Sequence, residues 1–174
     1  MNMAHHLVEA PAVAETLRLE ATHTPGQGIG VLVINYNTAR QTLRCLDSIQ
    51  QSTVLPDWVL VLDNASAPSD YQHLLQGAQP PKAGSLQIYR SEENLGFAQG
   101  SNALIDLLLQ QPACQYIMLL NNDAVAQKEM LAALRAALQA AGEEAGLAGG
   151  RMHKLADPTQ VDTLGIALYA SLMP

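Results

Sequence analysis

Charge is scarce in this sequence, and basic charge is scarcest. Nine Lys and Arg stand against sixteen Asp and Glu in 174 residues, a net charge of −7 with His neutral. The long-range field therefore repels a nucleic-acid backbone or an anionic membrane surface, and no Lys/Arg run offsets it locally. The two cysteines, Cys45 and Cys114, lack CxxC spacing, which argues against a disulfide framework and for reduced thiols. Only His5 and His6 are adjacent among five histidines, so no zinc-type cluster is visible. No apolar run approaches the ~20 residues of a membrane span. The first basic residue is Arg18, so the basic region of a secretion signal is missing. A cytoplasmic location is expected, with peripheral attachment to the inner face of a membrane left open.

The apolar fraction is 48%, which suits a domain with buried strands rather than a disordered or fibrous chain. Residues 1–28 differ from the rest. They predict a flexible N-terminal extension with a short helix around Ala12–Glu20, ending in Pro25-Gly26-Gln27-Gly28. The Gly26/Gly28/Gly30 spacing is not a dinucleotide fingerprint, because it precedes a strand instead of following one. From Ile29 onward strands and helices alternate. Apolar runs at Val31–Ile34, Trp58–Leu62, Leu86–Tyr89 and Tyr116–Leu120 read as strands covered on both faces. Helices are expected from a Thr38/Gln41 capping box, near Tyr71–Gln76, over Ala98–Gln110 and over Lys128–Ala141. Further strands are expected at Gly146–Gly149 and near Thr163–Tyr169. This alternation predicts an α/β fold with a mostly parallel sheet and helices on both faces.

In such sheets ligands bind outside the carboxyl ends of the strands. Three strands end there in Asn35-Tyr36-Asn37, Asp63-Asn64 and Asn121-Asn122-Asp123. Asp123, with amide oxygens beside it, suits Mg2+ or Mn2+, hard ions commonly held by one or two carboxylates plus substrate phosphates. The competing reading makes Asp123 a helix N-cap or a turn residue. Asp63 is placed to accept hydrogen bonds from a base or ribose, or else to form an Asx-turn with Asn64-Ala65-Ser66. In the segment Glu93–Asn102, Gly96 and Gly100 would let backbone approach a ligand, with Asn94 and Asn102 as hydrogen-bonding groups. A simple strand-to-helix loop is the alternative.

Four segments occur together in this order: Val33-Ile34-Asn35-Tyr36-Asn37, Leu62-Asp63-Asn64-Ala65-Ser66, Asn94-Leu95-Gly96-Phe97-Ala98-Gln99-Gly100-Ser101-Asn102 and Leu120-Asn121-Asn122-Asp123. In them the chain resembles family 2 glycosyltransferases of the GT-A fold, and most of all their bacterial rhamnosyltransferase-like branch, over roughly Gly30–Arg151. The resemblance implies that residues 29–174 form a nucleotide-sugar-binding domain truncated at its C-terminal side. It implies a nucleotide site made by Asn35, Tyr36, Asn37, Asp63, Asn94, Gly96, Asn102 and Asn122, with Asp63 on the base. It also implies a metal on the diphosphate held by Asp123, the last residue of a DXD-like element whose first position here is Asn121.

The chemistry implied is inverting transfer from a nucleoside-diphosphate sugar to a saccharide or lipid-linked acceptor, or another hydroxyl. A general base would take the acceptor proton. The family's base lies well downstream of the metal element, and Glu143, Glu144, Asp157 and Asp162 do not match its context. The base is expected to be absent and the chain to be a poorly active donor-binding part, prone to self-association near Ile166-Ala167-Leu168-Tyr169. A non-catalytic nucleotide-sugar-binding or assembly module is the alternative. A nucleotidyltransferase fits less well, since no glycine-rich phosphate loop follows the first strand.

Overall fold

A computed structural model describes residues 13–163. Five strands form one sheet in the order β1-β4-β3-β2-β5: β1 Ala14–Glu20, β2 Ile29–Asn35, β3 Trp58–Asn64, β4 Ser85–Ser91 and β5 Tyr116–Leu119. β2, β3, β4 and β5 run parallel, and β1 joins β4 antiparallel at the edge. The helices are α1 Ala39–Ile49, α2 Pro68–Gly77, α3 Gly96–Leu109 and α4 Met130–Ala141. A 3-10 turn at Gly142–Glu144 and a separate hairpin, β6 Met152–Lys154 with β7 Asp157–Thr163, follow.

The two-residue period of the strands sorts the core. Val31, Val33, Val59, Val61 and Ile88 face one side, where they pack with Cys45, Leu46 and Ile49 of α1, Leu74 of α2 and Leu131 of α4. Leu32, Leu60, Leu62 and Tyr89 face the other, against Leu104 and Leu108 of α3. Helices thus cover both faces, as the alternation predicts. Gly100 belongs to this packing: a Cβ there would lie 3.0 Å from Leu62 Cδ2. It lets α3 approach the sheet, which corrects the expectation that its backbone approaches a ligand.

Three further expectations are corrected. The segment expected as a helix around Ala12–Glu20 is β1, with Leu17 and Leu19 packed on the core and Arg18 between them. Thr38 precedes α1 but does not cap it; its Oγ1 donates to the Tyr36 carbonyl at 3.4 Å. The Ala39 N–H is instead taken by Asp70 Oδ1 at 3.0 Å, a carboxylate from the first turn of α2. No strand forms at Gly146–Gly149, where small residues give little apolar surface to bury. The strand expected near Thr163–Tyr169 and the association surface at Ile166–Tyr169 lie outside the described residues, apart from Thr163 at the end of β7. No helix among the described residues is long and apolar enough to cross a membrane.

Candidate donor site at the carboxyl edge of the sheet

β2, β3 and β4 are laid down in succession toward one side, and β5 then adds on the other side of β2. The order reverses between β2 and β5, which makes that point the expected ligand crevice. The loop Tyr36-Asn37-Thr38 leaves β2 on one flank of it, and Asn121-Asn122-Asp123 leaves β5 on the other. Register fixes the heights. Leu32 pairs with Leu119, Asn35 with Asp63, and Asp63 with Arg90, so the polar residues end the strands in one row.

That row is hydrogen-bonded from end to end. Asn122 Nδ2 donates to Thr42 Oγ1 at 2.9 Å and to Thr38 Oγ1 at 2.6 Å. Thr42 Oγ1 donates to Asn35 Oδ1 at 2.7 Å. Asn35 Nδ2 lies 2.9 Å from Asp63 Oδ1, 3.1 Å from Ser66 Oγ and 3.1 Å from Asp70 Oδ2. Arg90 donates to Asp63 Oδ2 at 2.8 Å and to the Ser66 carbonyl at 3.1 Å, and lies 4.0 Å over the Tyr71 ring. The ends of four strands are thereby joined. Buried polar groups demand such pairing.

Asp63 has no exposed side-chain surface. Its carboxylate also accepts the Ser66 N–H at 3.3 Å, so a base could reach it only if Arg90 moved aside. Asn35 is equally buried and braces the loops rather than facing solvent. Tyr36, 49% exposed, and Asn37 form the rim. Asn37 is left-handed (φ 56°), as is Ala65 (φ 62°). These two strained loops clasp each other, for Asn37 N donates to Ser66 Oγ and Asn37 Oδ1 accepts the Ala67 N–H.

Asn94 and Gly96 come to the same edge through a residue outside the expected set. Asn64, buried at the end of β3, accepts the Leu95 N–H at 2.9 Å and donates to Asn94 Oδ1 at 3.0 Å and to the Gly96 carbonyl at 3.2 Å. Gly96 is left-handed (φ 69°), with nothing within 4 Å of a Cβ, so its glycine serves the turn into α3. Asn102 lies exposed on α3 and makes no side-chain hydrogen bond to the others. Asn64→Ala removes three bonds at once. It is expected to speed amide exchange at Leu95 by roughly tenfold or more, since each such bond contributes about 1 kcal/mol; unchanged protection would refute the clamp.

Asp123 is exposed, and no side-chain partner holds it among the described residues. It is not a helix cap, because α4 begins seven residues later and Glu129 occupies its N-cap position. No group of three or more His, Cys, Asp or Glu that could hold a metal occurs among the described residues. A single free carboxylate fits Mg2+ or Mn2+ arriving with a diphosphate, which supplies the missing oxygen ligands, and does not fit an ion held by protein alone.

Beneath this turn Cys45 donates to the Asn121 carbonyl at 3.6 Å. Burial, and secondarily the nearby Asp123 charge, pushes its thiol up to about 12. A folded value above the unfolded one means stability is whole below the unfolded value and is lost as pH rises through the folded one. Between about pH 9 and 12 the melting temperature should therefore fall, and Cys45→Ala should flatten that slope. An unaltered slope in the variant would refute the assignment.

Comparison with known proteins gives the family of the chain. A family model described as "Glycosyl transferase family 2" matches residues 30–161, well over half of the chain. No curated protein matches. Among solved structures, S. aureus TarS 1–349 is similar at 21% identity and TM-score 0.48, covering 62% of this chain and 31% of its own. A mannosyltransferase from Pyrobaculum calidifontis, solved in complex with GDP-Man and Mn2+, is similar at 22% identity and TM-score 0.49, covering 66% and 33%. The chain thus spans about a third of the length of these two structures.

Proposed function

We propose, since this chain belongs to glycosyl transferase family 2, that it forms the donor site of a glycosyltransferase. A nucleoside-diphosphate sugar lies across the carboxyl ends of β3, β2 and β5, nucleoside toward Asp63 and diphosphate toward Asp123. The observation that carries this reading is the free Asp123 carboxylate at the point where strand order reverses. A diphosphate there needs a cation. The net charge is −7, and the first N–H of α1, a natural phosphate anchor, already holds the Asp70 carboxylate.

Asp123 would hold Mg2+ or Mn2+ in company with the diphosphate, and the ion would neutralise charge on the departing nucleoside diphosphate. Tyr36 and Asn37 border the crevice, and Asn64 fixes the Asn94-Leu95-Gly96 loop on its far side. Transfer is read as inverting, to a saccharide or lipid-linked hydroxyl. One observation favours the alternative, a binding module without catalysis. Among the downstream carboxylates Glu143, Glu144 and Asp162 are exposed, and Asp157, bonded by Thr159 and then Gln160, is held below the usual carboxylate range, which weakens it as a base.

Calorimetric titration with UDP, GDP and dTDP, with and without Mn2+, tests the donor site. Binding of one of them that tightens with Mn2+ supports it, and no binding of any overturns it. Transfer of radiolabel from the matching nucleotide-sugar to an added saccharide separates catalysis from mere binding.

A further inference from the structure

The polar chain along the strand ends has a direction, and Thr42 is its central link. Thr42 is fully buried on the face of α1 that otherwise gives Ala39, Cys45, Leu46 and Ile49 to the core. A valine would fill that volume without burying a hydroxyl, so packing does not explain a threonine there. Its one proton goes to Asn35 Oδ1 at 2.7 Å rather than to the Thr38 carbonyl at 3.3 Å. Its lone pairs receive Asn122 Nδ2. Asn35 cannot turn its amide over, because its oxygen would then face the carboxylates of Asp63 and Asp70. Along the line Asn122–Thr42–Asn35 the donors therefore point toward Asp63, and that line has one satisfied state.

We propose that Thr42 is a positioning residue that couples the two ends of the donor site. Through Asn122 it sets the turn carrying Asp123, and through Asn35 it holds Asp63. The inference rests on the donor-site reading. Thr42 touches neither nucleotide nor metal; it fixes the distance between the groups that do. Partners of this kind behind a metal ligand typically change metal affinity by about 10–100-fold when removed.

The test uses UDP, GDP and dTDP, taking forward the tightest, with affinity measured with and without Mn2+. Thr42→Val keeps the volume and deletes the hydroxyl. It is expected to lower affinity in Mn2+ by about tenfold and affinity without metal by less than about twofold. Thr42→Ser, which keeps the hydroxyl, should restore the wild-type ratio. Asn122→Ala removes the same tie from the accessible end and should abolish the gain from Mn2+, whatever it does to metal-free affinity, which keeps the test open if Thr42→Val does not fold. Equal losses in both conditions, or no rescue by serine, would reduce Thr42 to a structural residue and overturn the coupling. A wild-type gain from Mn2+ that survives in Thr42→Val and Asn122→Ala overturns the coupling alone. A wild type indifferent to Mn2+ with all three nucleotides overturns the metal-bearing donor site and the coupling together.

Discussion

Asp123→Ala is expected to abolish the gain in nucleoside-diphosphate affinity that Mn2+ confers, a loss of at least about tenfold, or ~1.4 kcal/mol. The melting temperature should stay nearly unchanged. The two halves of this expectation have one cause. Asp123 is exposed, holds no side-chain partner among the described residues and caps no helix, and substitutions at such surface positions are usually within about 0.5 kcal/mol in stability. Its carboxylate is thus free for an ion, and its removal affects little else. Asp123→Asn retains an oxygen but not the charge, and should fall between wild type and alanine. The readout is calorimetry with and without Mn2+ beside a thermal melt. A variant that keeps the metal gain would move the diphosphate site away from β5, and a variant that melts several degrees lower would return Asp123 to a structural role.

The strands of the sheet's centre were legible because apolar runs covered on both faces need no tertiary information to recognise. Three of their carboxyl ends were legible as well: the runs of β2, β3 and β5 stop at Asn or Asp, whereas that of β4 stops at Arg90. β1 was not, since it offers only Leu17 and Leu19 between charged residues, and its partner β4 lies about 70 positions away. The alternation of Leu17 and Leu19 with Thr16, Arg18 and Glu20 was the signal for it. Residues lining the site divide in the same way. Asn35, Asp63, Asn122 and Asp123 stand at strand ends and are read from spacing. Thr42, Asn64, Asp70 and Arg90 acquire their roles only from partners across the fold. Asp70 shows this most clearly, for it displaces a capping box that local spacing alone favours.

Arg90→Met should be the most destabilising single change at the site. Asp63 is wholly buried, and Arg90 is its charged partner, 28% exposed, with the guanidinium laid on Tyr71. Removing the arginine leaves the carboxylate with Asn35 Nδ2 and the Ser66 N–H but no opposite charge. Breaking a buried pair from one side typically costs about 3–5 kcal/mol. For a chain of this size that corresponds to a fall in melting temperature on the order of 10 °C. The pair itself contributes less than this figure, because much of the loss is the stranded charge. The double variant Asp63→Leu/Arg90→Met, which strands none, is therefore expected to recover part of the stability despite carrying two changes. Denaturant melts of the wild type, both single variants and the double variant close the cycle. A loss below about 1 kcal/mol in Arg90→Met would place the pair among weak surface contacts. The row of strand ends would then be held by Asn35, Ser66 and Asp70 instead.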